Sequence, residues 1–478
     1  MDGFNLNNIP KVHFVFDIKG PGGFIPLGYT KYTFPNLIQL KLNDVEDREY
    51  TGYYPSIHTP QEYNFNRTAG FSTYICEHTK NIDAVLISDV KDDIKPNEIY
   101  VVPLESLNVN NLFEYYSDAK FDLDDFFSPM LLDILKTHSN FKLLIMDSGE
   151  GAYPHSHDLY IRINNFLDKH SITDKNKVIL STNNNFIEQI KNDPIWETFK
   201  GRIDVYSNNY LLLTAGRFIG QLRAQNNVLV ENEYEFSIQE NVLKHQKEKY
   251  FLMYNRNSER MHRPYFVNEL YKNNLLDKGF ISFFQNQHLD KFLEESKEYP
   301  QLGLVSEDIK SIKDNYKNYY PLTIDETNPF RVSDFHNFLS RKDEYEKSYF
   351  TIVSETNAES DYCFITEKTT KPLTNLHPFV VLGNPNVLKT LKKYGFKTFD
   401  KWWDESYDDV FDFKTRAQMV LKIVKDLCNK SHEEWVELLT DMESTLIHNK
   451  KTLHKLTTGK QFQKDFLEAI GIQFKKLL

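Results

Sequence analysis

Cysteine is scarce in this chain: Cys76, Cys363 and Cys428 are the only three in 478 residues, and no two form a close pair. That spacing excludes a disulfide framework and the Cys-based patterns that hold structural metals. A basic excess is also missing. Fifty-seven lysines and arginines stand against 68 aspartates and glutamates, a net charge of −11. This balance argues against a partner with a phosphate backbone, so nucleic acid is not the expected ligand. No apolar run approaches the ~18 residues that a membrane-spanning helix needs. The first residues also lack a basic segment followed by a long apolar one. A cytoplasmic protein without a membrane span is expected. Gly/Ser linkers, low-complexity tracts and internal repeats are absent too, which removes solenoids and tethered arrays.

What remains is an ordinary soluble composition, 40% apolar and 26% charged, on a chain long enough for two or three domains. Up to about residue 226, apolar runs alternate with helical segments: KVHFVFDI, DAVLISDV, a helix near 127–137, KLLIMDSGEG, a helix near 158–170, KVILST and RIDVYS. Alternation of this kind predicts a doubly wound α/β domain. Residues 227–246 are polar and without period, so the connection between domains is placed there. A second series follows: KYFLMYN, a helix over 261–274, FISFF, SYFTIVSE, a helix opening at Thr366, and PFVVLG. From Asp408 onward the apolar spacing is helical. The expected domains are 1–235 and 236–425, both α/β, and a helical tail over 426–478.

Three patches carry candidate chemistry. In residues 349–383, two short apolar strands flank a polar turn and Thr366-Glu367-Lys368. In open parallel sheets, ligands sit beyond the carboxyl ends of strands, where helices begin. A carboxylate there can take ribose hydroxyls, and an ammonium can face phosphate. The triplet also suits plain helix capping with an acidic first turn, and both readings stand. In residues 249–270, a strand runs into a polar loop and then a helix, with Arg256, Arg260, His262 and Arg263 at the junction. A helix start beside a guanidinium seats a pyrophosphate well, since N–H groups and a bidentate fork both meet the oxyanions. Ser282 lies in the strand that follows. In residues 142–157, an apolar strand ends in Asp147 and then Gly149-Glu150-Gly151, where flanking glycines allow close approach of a ligand.

The first of these patches resembles the donor-binding region of the α-1,3-fucosyltransferase family. That family has a Glu-Asn pair on a strand end, then a Tyr-x-Thr-Glu-Lys run, then an apolar strand opening near Pro and closing in Gly; here Thr356 separates the acid from the Asn and the spacer to Thr366 is slightly longer. Glu355, Thr366, Glu367, Lys368, Pro378 and Gly383 stand in those places, with Asn357 two residues after Glu355. Phe364 replaces the Tyr, keeping a ring for stacking without its hydroxyl. The family's helix-opening Arg and loop Asn match Arg263 and Asn255, and its proposed base matches Glu150, with Asp147 as the alternative. The resemblance implies a GT-B fold, two Rossmann-like α/β domains facing a cleft, in a bacterial or viral member. It implies inverting, metal-independent transfer of a fucose-like sugar from a GDP-linked donor to a glycan hydroxyl. Donor binding then falls to Asn255, Arg256, Arg263, Glu355, Asn357, Phe364, Thr366, Glu367 and Lys368. No separate cofactor is implied.

Other features carry less. Gly20-Pro21-Gly22-Gly23 lacks the Lys-Ser/Thr ending of a P-loop. Asp122 and Asp124 form an Asp-x-Asp but lie where a helix start expects acids, and His155 and His157 have no third ligand nearby. Trp402 and Trp403 read as packing against the tail. Two alternatives remain beside the transferase: the same fold glycosylating modified nucleic-acid bases, and a non-catalytic glycan- or nucleotide-binding protein.

Overall fold

The computed structural model describes residues 11–16, 82–106, 127–147, 159–174, 177–182, 194, 196–199, 201–207, 246–255, 260–283, 289–322, 324, 342–358 and 363–457. The chain divides into two compact units, and among the described residues the first holds six strands and the second four.

In the first unit the strands are β1 (Val12–Phe16), β2 (Ile82–Leu86), β3 (Ile99–Ser106), β4 (Phe141–Asp147), β5 (Val178–Thr182) and β6 (Ile203–Ser207). They form one sheet in the order β2-β1-β3-β4-β5-β6, and every pairing is parallel. Such a sheet is covered on both faces, which is why β4 reads as a continuous apolar run. Phe141, Leu143, Leu144 and Ile145 are all buried, and helices α1 (Pro129–Thr137) and α2 (Leu159–Lys169) add Leu131, Leu135, Ile163 and Phe166 to the core. Ser128 starts α1 by accepting the Leu131 N–H at 3.2 Å, with Pro129 in the first turn.

Strand β3 is absent from the runs read in the sequence, and Pro103 stands in its middle. The ladder explains how the proline is tolerated. Ile99 donates its N–H toward β1, to Lys11 at 2.9 Å, and Tyr100 donates toward β4, to Asn140 at 3.0 Å. Alternation then aims the position of Pro103 toward β1, and pairing with β1 has already ended at Val101. The missing N–H therefore costs no ladder bond.

In the second unit, β7 (Lys249–Asn255), β8 (Gly279–Phe283), β9 (Ser348–Ser354) and β10 (Phe379–Leu382) form a parallel sheet in the order β10-β9-β7-β8. Its longer helices among the described residues are α3 (His262–Lys272), α4 (Leu289–Glu295), α5 (Ser306–Asn315), α6 (Glu367–Thr374), α7 (Val387–Lys393), α8 (Phe413–Cys428) and α9 (His432–Thr457). The expected pair of parallel α/β units with a helical C-terminal region is what the chain forms.

The boundaries need correction at one end. The break expected between residues 425 and 426 falls inside α8, and α9 packs on the second unit rather than standing apart. Trp435 of α9 stacks on Tyr349 and Phe350 of β9, with ring centroids 4.9 and 5.6 Å away. The break expected at 235/236 lies outside the described residues. Among those residues, no helix is long and apolar enough to cross a membrane.

Candidate functional site

After β7 the chain moves to β8 on one side, and β9 is placed on the other. The carboxyl ends of β7 and β9, Asn255 and Ser354, thus lie at a topological switch point, where open parallel sheets bind their ligands. Asn255 is 0% exposed. Its backbone N–H donates to Ser282 Oγ at 3.0 Å, while neither atom of its side-chain amide finds a partner among the described residues. The Ser354 hydroxyl is likewise buried without one. Both groups stand at the carboxyl ends of neighbouring strands, where a polar ligand would supply the missing partners.

Helix α3 starts against this edge. Pro264 occupies its first turn, where a missing N–H breaks no helical bond. His262 and Arg263 are buried, and both donate to the Glu355 carbonyl, from Nε2 at 3.0 Å and Nη2 at 3.1 Å. Arg260 donates to Asn357 Oδ1. Burial above all, then Arg263, Arg260 and Lys368, hold His262 well below the ordinary histidine range, against the opposing pull of the Glu355 carbonyl. Its imidazole is therefore neutral. Arg263, Lys368 and Arg260 donate to three successive residues, Glu355, Thr356 and Asn357, so the three cations share one locality.

Glu355 joins that locality to α6. It is 0% exposed. Oε1 accepts the Thr366 N–H at 3.1 Å and the Thr369 hydroxyl at 2.5 Å, and Oε2 accepts the Thr356 N–H at 3.3 Å. Thr366 caps α6 by accepting the Lys368 N–H at 3.2 Å, as a Thr before an acidic first turn predicts. Lys368 Nζ donates to Thr356 Oγ1 at 3.1 Å. Gly383 makes room for this: a Cβ there would stand 3.0 Å from Glu355 Cβ and 3.1 Å from its Cγ.

The structure thus gathers Asn255, Arg263, Glu355, Asn357, Thr366 and Lys368 at one edge, and Ser282 supports Asn255 from β8. Glu367 opens α6 beside them. Arg256 lies outside the described residues. Phe364 needs correction. It is 1% exposed, so its ring belongs to the interior and presents no open face for stacking. Glu355, expected among the donor ligands, directs its carboxylate at the start of α6 instead. Asp147 closes β4 beside Ser106 and Thr182 in register. Glu150, the glycines at 20–23, Asp122, Asp124, His155 and His157 lie outside the described residues. Trp402 and Trp403 do pack: Trp402 Nε1 donates to Asp441 of α9 at 2.7 Å, and Trp403 stacks on Phe399 at 5.0 Å.

Arg416 of α8 was missed by sequence reasoning. Its buried guanidinium donates to the carbonyls of Gly383 at 2.9 Å, Phe411 at 3.1 Å, and also Val410 and Ala358. It ties the segments leaving β9 and β10 to the start of α8. One arginine in a helical stretch carries no signal of this in the sequence.

Chemically, the edge offers three cations, helix starts and an amide without a partner among the described residues, and the Glu355 carboxylate there is already engaged. In a site shielded from water such an arrangement favours a polyanion with hydrogen-bonding oxygens.

No family model matches this chain, and no curated protein matches its sequence. Among solved structures, an α,α-trehalose-phosphate synthase (UDP-forming) from Burkholderia vietnamiensis aligns over 90% of this chain and 82% of its own, at 8% identity and a TM-score of 0.39. An α,α-trehalose 6-phosphate synthase from Burkholderia multivorans aligns over 98% of each chain, at 7% identity and a TM-score of 0.37. At these scores the likenesses carry no argument about this protein.

Proposed function

We propose that this chain is a GT-B glycosyltransferase whose second unit holds a nucleotide sugar by its diphosphate. The observation that carries the reading is that Arg263, Lys368 and Arg260 donate to three successive residues, Glu355, Thr356 and Asn357, beside the Asn255 amide that finds no partner among the described residues. In the finer form, which rests on the resemblance to α-1,3-fucosyltransferases, the donor is GDP-linked, the sugar fucose-like and the acceptor a glycan hydroxyl. Arg263 and Lys368 neutralise charge building on the leaving diphosphate. Glu367 takes ribose or sugar hydroxyls. Glu355 positions the start of α6, and Glu150, or Asp147, removes the acceptor proton as the hydroxyl attacks from the face opposite the nucleotide.

The test is a thermal-shift comparison of GDP, UDP and CMP on wild type and Lys368→Met. A ligand that binds only the folded state raises Tm by mass action. Losing a charged hydrogen bond to phosphate costs roughly 1.5–3 kcal/mol, so the variant is expected to bind about ten- to a hundredfold more weakly. No shift with any nucleotide, or equal shifts for both proteins, would overturn this placement of the donor.

A further inference from the structure

Three large hydrophobic side chains stand exposed among the described residues, Ile161, Val305 and Phe411, and Phe411 alone of these is aromatic, at 51% exposure. Single exposed apolar residues are common on protein surfaces and by themselves mean little. The mounting of Phe411 is different. Its own carbonyl and that of Val410 are both held by Arg416, which also holds the carbonyls of Ala358 and Gly383. Ala358 follows Asn357, the partner of Arg260, and Gly383 abuts Glu355. On the other side Asp412 caps α8 by accepting the Thr415 N–H at 2.7 Å. Phe413 then meets His262 edge-on, with centroids 6.4 Å apart. The backbone carrying Phe411 is therefore fixed on both sides to the edge that gathers the cations, while its ring is left in water.

A ring left in water forgoes the stabilisation that burial would bring. A fixed backbone beneath it lowers the entropy cost of using it as a contact surface. The stacking role expected of Phe364 is not open to that buried ring. We propose that Phe411 is the platform on which the planar base of a nucleoside diphosphate rests, its phosphates reaching Arg260, Arg263 and Lys368. The inference depends on the donor site proposed above and names the residue that reads the base.

The experiment is calorimetric titration of wild type, Phe411→Ala and Phe411→Trp with two probes. One is whichever of GDP and UDP the wild type binds more tightly, and the other is inorganic pyrophosphate. Base–aromatic stacking lost to alanine weakens binding roughly five- to a hundredfold. Phe411→Ala should lose that much affinity for the nucleotide and keep its affinity for pyrophosphate, and Phe411→Trp should restore the nucleotide. Unchanged nucleotide affinity in Phe411→Ala overturns the inference. So does an equal loss for both probes, since the ring would then act on the phosphate edge and not on the base. A wild type that binds neither GDP, UDP nor pyrophosphate overturns the donor site itself, a separate failure. If Phe411→Ala does not fold, Phe411→Leu, which keeps apolar bulk and loses the flat face, is judged by the same criteria.

Discussion

Glu355 is occupied at both ends. Its carbonyl receives His262 and Arg263, and its carboxylate receives Thr366, Thr369 and Thr356. One residue thereby sets the spacing between the starts of α3 and α6, the two places from which the cations come. A side chain so held cannot yield cheaply, which makes Gly383 sensitive. Gly383→Ala would press on Glu355 and also stand 3.3 Å from Val381 Cγ1. Overpacking of this kind costs about 1–3 kcal/mol. The expected outcome is a lower melting temperature together with weaker nucleotide binding, read in one thermal-shift series with and without ligand. Binding as tight as wild type in a destabilised variant would show that Glu355 does not position the site.

At the scale of elements, the segment after α7 is built to hold α9. Asn449 exchanges two 2.8 Å hydrogen bonds with the backbone of Lys397, and Asp441 receives Lys401 and Trp402. Within this segment lies Glu405, which accepts the Phe399 N–H at 2.7 Å and stands 3.9 Å from Lys392 Nζ. Burial pushes its carboxyl up to about 7 from an ordinary 4.5, against the opposing pull of Thr398, the Phe399 N–H and Lys392. A pKa raised on folding contributes stability that is complete below the unfolded value and lost as pH rises through the folded one. Wild type should therefore lose on the order of 3 kcal/mol relative to Glu405→Gln between about pH 4.5 and 8. Urea denaturation of both proteins at pH 5 and pH 8 reads this directly. Parallel stability curves for the two would mean that Glu405 ionises in the fold as freely as in water.

At the scale of the molecule, the proposed chemistry divides between the two units, with the donor in the second and the acceptor base in the first. A base matters as the acceptor proton leaves and much less for donor affinity. Glu150→Gln is expected to lower turnover by ~10²–10⁴-fold while nucleotide binding stays nearly unchanged. Asp147→Asn, made in parallel, decides between the two acids: the crippled variant identifies the base. If neither loses activity, the first unit does not supply it. Transfer is also expected to survive EDTA, since arginine and lysine can meet the diphosphate's charge. Activity lost to chelation and regained with Mn²⁺ would move attention to Asp122 and Asp124.

The sequence by itself determined the class of fold and singled out many of the residues that gather at the ends of β7 and β9. Runs such as KLLIMD and SYFTIVS, apolar without alternation, belong to strands covered on both faces, and their alternation with helices leaves a parallel sheet as the natural outcome. Thr366 before an acidic first turn was equally legible because capping is a local interaction. Only the tertiary structure decided which strand ends become neighbours. Asn255 and Ser354 meet because the order is β10-β9-β7-β8, and nothing in either run states that order. It alone decided that Glu355 turns inward, that Phe364 is buried while Phe411 is not, and that Arg416 closes the edge from a distant helix. Pro103 in β3 shows the same limit, since what it costs depends on where the neighbouring ladder stops. Periodicity reports how much of a segment is covered. The identity of what covers it is set by packing between residues far apart in the chain.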